Sequence, residues 1–158
     1  MRAQREPDRQ GARACRQGLA APIAGDVAPK VAVLMIGANN TGHRAENPET
    51  TAAGIMRVID EIRARRPTTK VLLLAIFPRG EKPDDFLRGI NERVNRIIAG
   101  AADGRSVFFL NINAALVNPD GSLSKDVMPD LLHPNEKGYA IWQREMQPLL
   151  QKLLVPSP

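Results

Sequence analysis

Asp130-Leu131-Leu132-His133 is the stretch of this sequence best equipped for chemistry. Acyl transfer by a hydroxyl nucleophile needs a base that titrates near neutrality and a carboxylate that fixes the base's tautomer. A turn across three residues can bring the Asp130 carboxylate to Nδ1 of His133 and leave Nε2 free to take a proton. Pro134 follows at once, which keeps His133 out of the helix behind it and lets the ring project into a cleft. Read alone, the pattern more often describes an aspartate that caps a turn beside a solvent-facing histidine, because so short a motif recurs by chance.

A second segment, Gly37-Ala38-Asn39-Asn40-Thr41-Gly42, follows a run of apolar residues. Gly37 permits a sharp turn where a side chain would block a ligand. The Asn39 amide can donate a hydrogen bond to a developing oxyanion. The bland alternative is a polar loop whose asparagines take turn conformations. His43 comes next and reads either as a residue facing the same cleft or as a solvated loop histidine. Arg79, in Pro78-Arg79-Gly80, reads either as a contact to an anionic substrate or as half of an ion pair with a nearby helix.

The elements that must position these residues follow from the hydrophobic pattern. Val31–Ile36, Val71–Phe77 and Val107–Ile112 are short continuous apolar runs, each the length of a strand buried on both faces. Thr50–Arg66 is an expected helix with Ile55, Val58, Ile59 and Ile62 on one face, ended by Pro67. Asp84–Ala102 is the next, with Asp84 as N-cap, Leu87, Ile90, Val94, Ile97 and Ile98 on its stripe, and Gly104 just past its end. Asn118-Pro119-Asp120-Gly121 is strong turn chemistry. Asn135–Leu154 is the last helix, with Trp142, Met146, Leu149, Leu150 and Leu153 facing inward. Apolar strands alternating with amphipathic helices imply an α/β fold with a mostly parallel sheet covered on both faces. Sites in such sheets gather at the carboxyl ends of the strands, and both chemical segments leave such ends.

Taken together, and in this order, the segments resemble a known family. Val31–Asn40 looks like the third conserved block of the SGNH/GDSL hydrolases, G-x-N followed by Asp or Asn. Asp130–His133 looks like the fifth, D-x-x-H. Within that family, Lys30–Asn40 and Pro78–Pro83 are similar to the catalytic subunits of platelet-activating factor acetylhydrolase and their bacterial relatives. The resemblance runs from about Val27 to Leu154 and implies a three-layer α/β/α flavodoxin-like fold. It also implies hydrolysis of a small-molecule or carbohydrate ester, often an acetyl ester, with no metal and no cofactor. His133 would be the general base, Asp130 its orienting acid and Asn39 an oxyanion donor, with Gly37 shaping the loop.

The family's Gly-Asp-Ser block, which carries the nucleophile on the first strand, is not matched. Ser106, Ser122, Ser124 and Ser157 all follow the Asn39 block, and Gly25-Asp26-Val27 has valine where serine should stand. The expectation is therefore a partial SGNH domain over residues 27–154 with its first strand missing, inactive for want of a nucleophile. Residues 1–26, rich in arginine and without a sustained period, are expected to be poorly ordered and to replace a true start through truncation or a misread frame. The rival expectation is a non-catalytic binding or assembly protein that retains the fold's remnant, with a homo-oligomer as one outcome.

Composition narrows the field further. With 158 residues there is room for one domain with a real core. Only 4% are aromatic, so that core must be aliphatic. Residues 1–30 hold six Lys/Arg against three Asp/Glu, and the remainder sixteen against fourteen. A body so nearly neutral argues against a dedicated nucleic-acid surface. No apolar run approaches the roughly 20 residues of a membrane span. The lone Cys15 excludes an internal disulfide. The first residues do not read as a signal peptide, and the compartment stays unknown.

Overall fold

The computed structural model describes residues 28–43 and 46–155. Residues 1–26, the Gly25-Asp26-Val27 match and the side chain of His43 lie outside the described residues. In chain order the elements are β1 (Val31–Leu34), α1 (Ala38–His43), α2 (Pro48–Arg65), β2 (Lys70–Leu74), α3 (Phe86–Ala99), β3 (Val107–Leu110), α4 (Asn113–Leu116) and α5 (Glu136–Leu154). The three strands form a parallel sheet in the order β1-β2-β3, with Val31 opposite Lys70 and Val71 opposite Val107. The alternation of apolar strands and amphipathic helices thus gives the α/β architecture expected of it.

Central β2 sets the layers. Val71 and Leu73 join Ile55, Ile59 and Ile62 of α2 and Val94 and Ile98 of α3 in one core. On the other face, Phe77, Ile112, Leu116, Leu123 and Met128 form a second core against Ile141 and Trp142 of α5. Leu72, Leu73, Leu74 and Ile76 are at most 1% exposed, each contributing roughly 1.5–3 kcal/mol by leaving water. Alpha-helix α5 runs back along the sheet: Gly80 N–H donates to Leu131 just ahead of it, and Lys70 Nζ donates to Leu153 at its far end. Asp130 and His133 therefore sit at the carboxyl ends of the strands.

Several expectations need correction. Val31–Ile36 is not buried on both faces: β1 borders β2 alone among the described residues, and Val33 is 42% exposed. The segment Gly37–His43 contains a short helix, because Thr41 returns both its N–H and its hydroxyl to the carbonyls before it. Helix α2 starts two residues earlier than its apolar period suggests, since the Asn47 side chain accepts from Glu49 N–H and Pro48 is preorganised for the first turn. Asp85, not Asp84, caps α3, accepting from Leu87 and Arg88 N–H. That helix ends at Ala99. Gly104, at φ +67°, belongs to the turn into β3 that Asp103 organises. On α5, Trp142, Met146, Leu149 and Leu150 are half-buried, whereas Leu153 is buried.

Candidate functional site

The Asp130–His133 turn is built by one carboxylate doing three things. Its Oδ1 accepts from Leu132 N–H at 3.1 Å and His133 N–H at 2.7 Å, while Oδ2 faces His133 Nδ1 at 2.6 Å. Leu131 closes the turn at φ +59°. The bond from the His133 side chain, then those from the His133 and Leu132 backbones and the charge of His133, lower the Asp130 carboxyl to about 2 against its ordinary 3.8. Asp130 is thus ionised throughout the neutral range. An ionised acceptor on Nδ1 places the neutral ring's proton there and leaves Nε2 as the basic nitrogen. Nε2 makes no hydrogen bond among the described residues, and the His133 side chain is 74% exposed.

A depressed carboxyl alone is no mark of a site. Asp103 is also held at about 2, by the backbone N–H groups of Val107, Arg105 and Ser106 and more weakly by the Arg63 guanidinium, and no imidazole faces it among the described residues. The imidazole separates the two aspartates.

Gly37 has φ +111°, and a Cβ there would lie 2.8 Å from Ile76 Cδ1 and 3.2 Å from Ile55 Cδ1. Only glycine lets the chain leave β1 against those side chains and enter α1 at once. Asn39 stands exposed on α1 with no side-chain hydrogen bond among the described residues. Its neighbour Asn40 is committed, donating to Glu46 at 2.9 Å.

Arg79 forms no ion pair among the described residues. Its Nη1 donates to the Ala38 carbonyl at 3.1 Å, and the guanidinium fills the place of a side chain on Gly42, where a Cβ would fall on it. It clasps α1 to the end of β2. Next to it, Gly80 N–H donates to Leu131 C=O at 3.1 Å. The Pro78–Gly80 segment is therefore bonded to both chemical segments, although Asn39 and His133 share no hydrogen bond.

Sequence reasoning missed a set of buried polar residues on α3. Arg88 (4% exposed) donates to the carbonyls of Arg79, Gly80 and Gly121. Asn91 donates to Phe77 C=O and accepts from the Thr41 hydroxyl. Asn95 pairs with both backbone groups of Ile76. Their spacing of three and then four residues was the available signal: these polar residues recur at the helix period, next to the apolar stripe. A cavity of about 240 Å³ lies between this helix and the 118–121 turn, walled by Pro78, Pro83, Arg88, Asn113 and Val117. Asp130 and His133 are not among its walls; they face open solvent.

Residues 8–141 match the model of the GDSL-like lipase/acylhydrolase family. The chain is 36% identical over 129 residues to platelet-activating factor acetylhydrolase IB subunit alpha1 of Pongo abelii, covering 81% of this chain and 54% of the relative. It is 35% identical over 134 residues to subunit alpha2 of Gallus gallus, covering 84% and 57%. The chain thus spans about half the length of the curated relatives it matches. Among solved structures, a carbohydrate esterase family 3 protein from Talaromyces cellulolyticus superposes with a TM-score of 0.63 at 22% identity, over 90% of this chain and 69% of that one. A GDSL-like lipase from Bacteroides thetaiotaomicron gives 0.60 at 24%, over 80% and 64%. At those identities the structural likeness establishes the fold.

Proposed function

We propose that this chain, which belongs to the GDSL-like lipase/acylhydrolase family, carries the base and the oxyanion side of a carboxylic ester hydrolase. The observation that carries the reading is the Asp130 carboxylate 2.6 Å from His133 Nδ1, with Nε2 unengaged. In such a site Nε2 takes the proton of a hydroxyl nucleophile as its oxygen bonds to the ester carbonyl carbon. Asp130 stabilises the imidazolium that results, and Asn39 donates to the oxyanion. His133 then returns the proton to the departing alkoxide. Residues 27–154 act as one unit, and the substrate is an acetyl or similarly small ester of a small molecule or a carbohydrate. The names of the relatives at 35–36% identity support an acetyl ester.

The nucleophile is the part without support. The Ser122 hydroxyl donates to Asp120, that of Ser124 accepts from Asp126 N–H, and no described serine bonds His133. The isolated chain should therefore turn over p-nitrophenyl acetate no faster than its His133→Ala variant; clear His133-dependent turnover would sink that half of the reading. The catalytic half is tested by joining the Gly-Asp-Ser segment of a curated relative ahead of Val27. A chimera that folds should hydrolyse the same ester with a requirement for His133, and a folded chimera that stays inert refutes the assignment.

A second reading, a non-catalytic assembly protein, is favoured by the edge of β1, which has no neighbour among the described residues, and by the half-buried apolar face of α5. It calls for a defined homo-oligomer by light scattering whose formation Val33→Lys abolishes. A monomer at all concentrations counts against it.

A further inference from the structure

Arg88 is the unusual charge of this molecule. It is 4% exposed, yet among the described residues it forms no ion pair. Leaving a guanidinium unpaired in the interior is costly, and here carbonyl oxygens replace the carboxylate. Nε donates to Arg79 C=O at 3.3 Å, one terminal nitrogen to Gly80 C=O at 2.8 Å and the other to Gly121 C=O at 2.6 Å. A planar fork of donors suits three converging carbonyls; an ammonium group has neither the plane nor the reach.

Two of those carbonyls belong to the residues that hold the candidate site. Arg79 reaches α1 through Ala38 C=O, and α1 carries Asn39. Gly80 reaches the Asp130–His133 turn through Leu131 C=O. The Gly80 backbone is itself demanding: at φ +74° it lies beneath Asp85, whose carboxylate leaves no room for a Cβ. We infer that Arg88 is a positioning residue for both arms of the site, fixing residues 79 and 80 so that one presents Asn39 and the other presents His133. The inference rests on the reading of Asn39 and His133 given above, but the bonds it predicts can be examined without any turnover.

The test uses amide hydrogen exchange and proton spectra of the full chain. In the unsubstituted protein the Arg88 Nε–H should exchange slowly and the Gly80 amide should be protected. Arg88→Met should speed Gly80 exchange at least tenfold and shift the carbon-bound ring-proton signals of His133. The Thr41 amide of α1 should speed up about threefold, less because Asn91 also holds Thr41. The amides of Leu72, Leu73 and Leu74 should stay within twofold. Arg79→Met should affect Thr41 and leave Gly80 and His133 unchanged. Unchanged Gly80 exchange in Arg88→Met overturns the inference, as does a uniform loss that includes β2, which would make Arg88 a residue of the fold alone. If Arg88→Met does not fold, Arg88→Lys takes its place with the same readouts, and fast Nε–H exchange in the unsubstituted chain overturns the inference by itself. Ring-nitrogen shifts of the neutral His133 that place the proton on Nε2 instead of Nδ1 would remove the base-and-acid reading and leave Gly80 and Thr41 to judge Arg88.

Discussion

Replacing Gly37 with alanine tests whether the turn out of β1 is as constrained as its geometry implies. Two costs add. At φ +111° an L side chain is strained, which costs on the order of 1–3 kcal/mol. The new Cβ would also lie 2.8 Å from Ile76 Cδ1 and 3.2 Å from both Ile55 Cδ1 and Thr51 Cγ2. Carbon atoms prefer roughly 3.5–4.0 Å. Those three side chains are 0%, 2% and 3% exposed, so they have no solvent to retreat into. Overpacking of this kind adds about 1–3 kcal/mol. The expected loss is therefore roughly 2–6 kcal/mol, set against a typical domain stability of about 5–15 kcal/mol. Urea unfolding followed by far-UV circular dichroism measures it, with an unchanged slope showing that the same surface is exposed. A loss below about 1 kcal/mol with the slope preserved would refute the argument, because it would mean that the backbone at residue 37 relaxes freely.

The Asp130 carboxyl carbon should titrate with a midpoint near 2 and move up toward 3.8 in His133→Ala, which removes the largest cause of its depression. Because the folded value lies below the unfolded one, the stability this contact contributes should be complete above about pH 4 and vanish as the pH falls toward 2. A midpoint that ignores His133 would show that the two side chains do not meet in solution. Asn95→Ala should destabilise by about 1–3 kcal/mol, since the Ile76 N–H loses its acceptor while Ile76 C=O keeps Asn113. Urea unfolding would read that loss, and a neutral result would show the Ile76 N–H satisfied otherwise. Gly42→Ala sets a gain of up to about 1 kcal/mol in helix propensity against loss of the Arg79 contact, worth about 1.5–3 kcal/mol for a charged donor. Net destabilisation with faster exchange in α1 is expected, and net stabilisation would show that Arg79 holds nothing there.

The parts of the fold that sequence revealed are those where a single period dominates. Val71–Phe77 has no polar residue to offer and becomes the buried centre of the sheet. Ile90, Val94 and Ile98 repeat at helical spacing and face the core. The Asp130–His133 contact was legible from the three-residue spacing, which also allows the capped turn beside an exposed histidine that the structure contains. What escaped was polar structure in the interior. An amphipathic reading of α3 sends every polar residue to solvent, yet Arg88, Asn91 and Asn95 point inward. The chain leaving β2 presents carbonyls that no strand satisfies, and a buried carbonyl without a partner costs more than a buried amide with one. Arg79 shows the same bias: sequence offered it an anion or a carboxylate, and it took a backbone carbonyl and the empty side of a glycine.

The exposure of the candidate pair and the incomplete burial of β1 and α5 have one origin. Among the described residues the sheet ends at β1, and α5 packs over that end. Met35 beyond β1, Leu131 within the Asp130–His133 turn and Trp142 on α5 all join the same core, so one region contains the strand end, the turn and the helix. There Trp142 crosses Phe77 edge-to-face at 4.9 Å, while its indole N–H is buried with no acceptor among the described residues. Among the described residues the indole N–H has no acceptor, β1 has no second neighbour and His133 Nε2 has no hydrogen-bond partner. A single parallel strand along β1 would answer the second directly, and the loop at its carboxyl end would approach the strand ends where His133 lies. Bonds from Arg88 to Gly80, Gly80 to Leu131 and His133 to Asp130 hold the turn from within residues 79–133, while Leu131 ties it to the core that Met35 and Trp142 share.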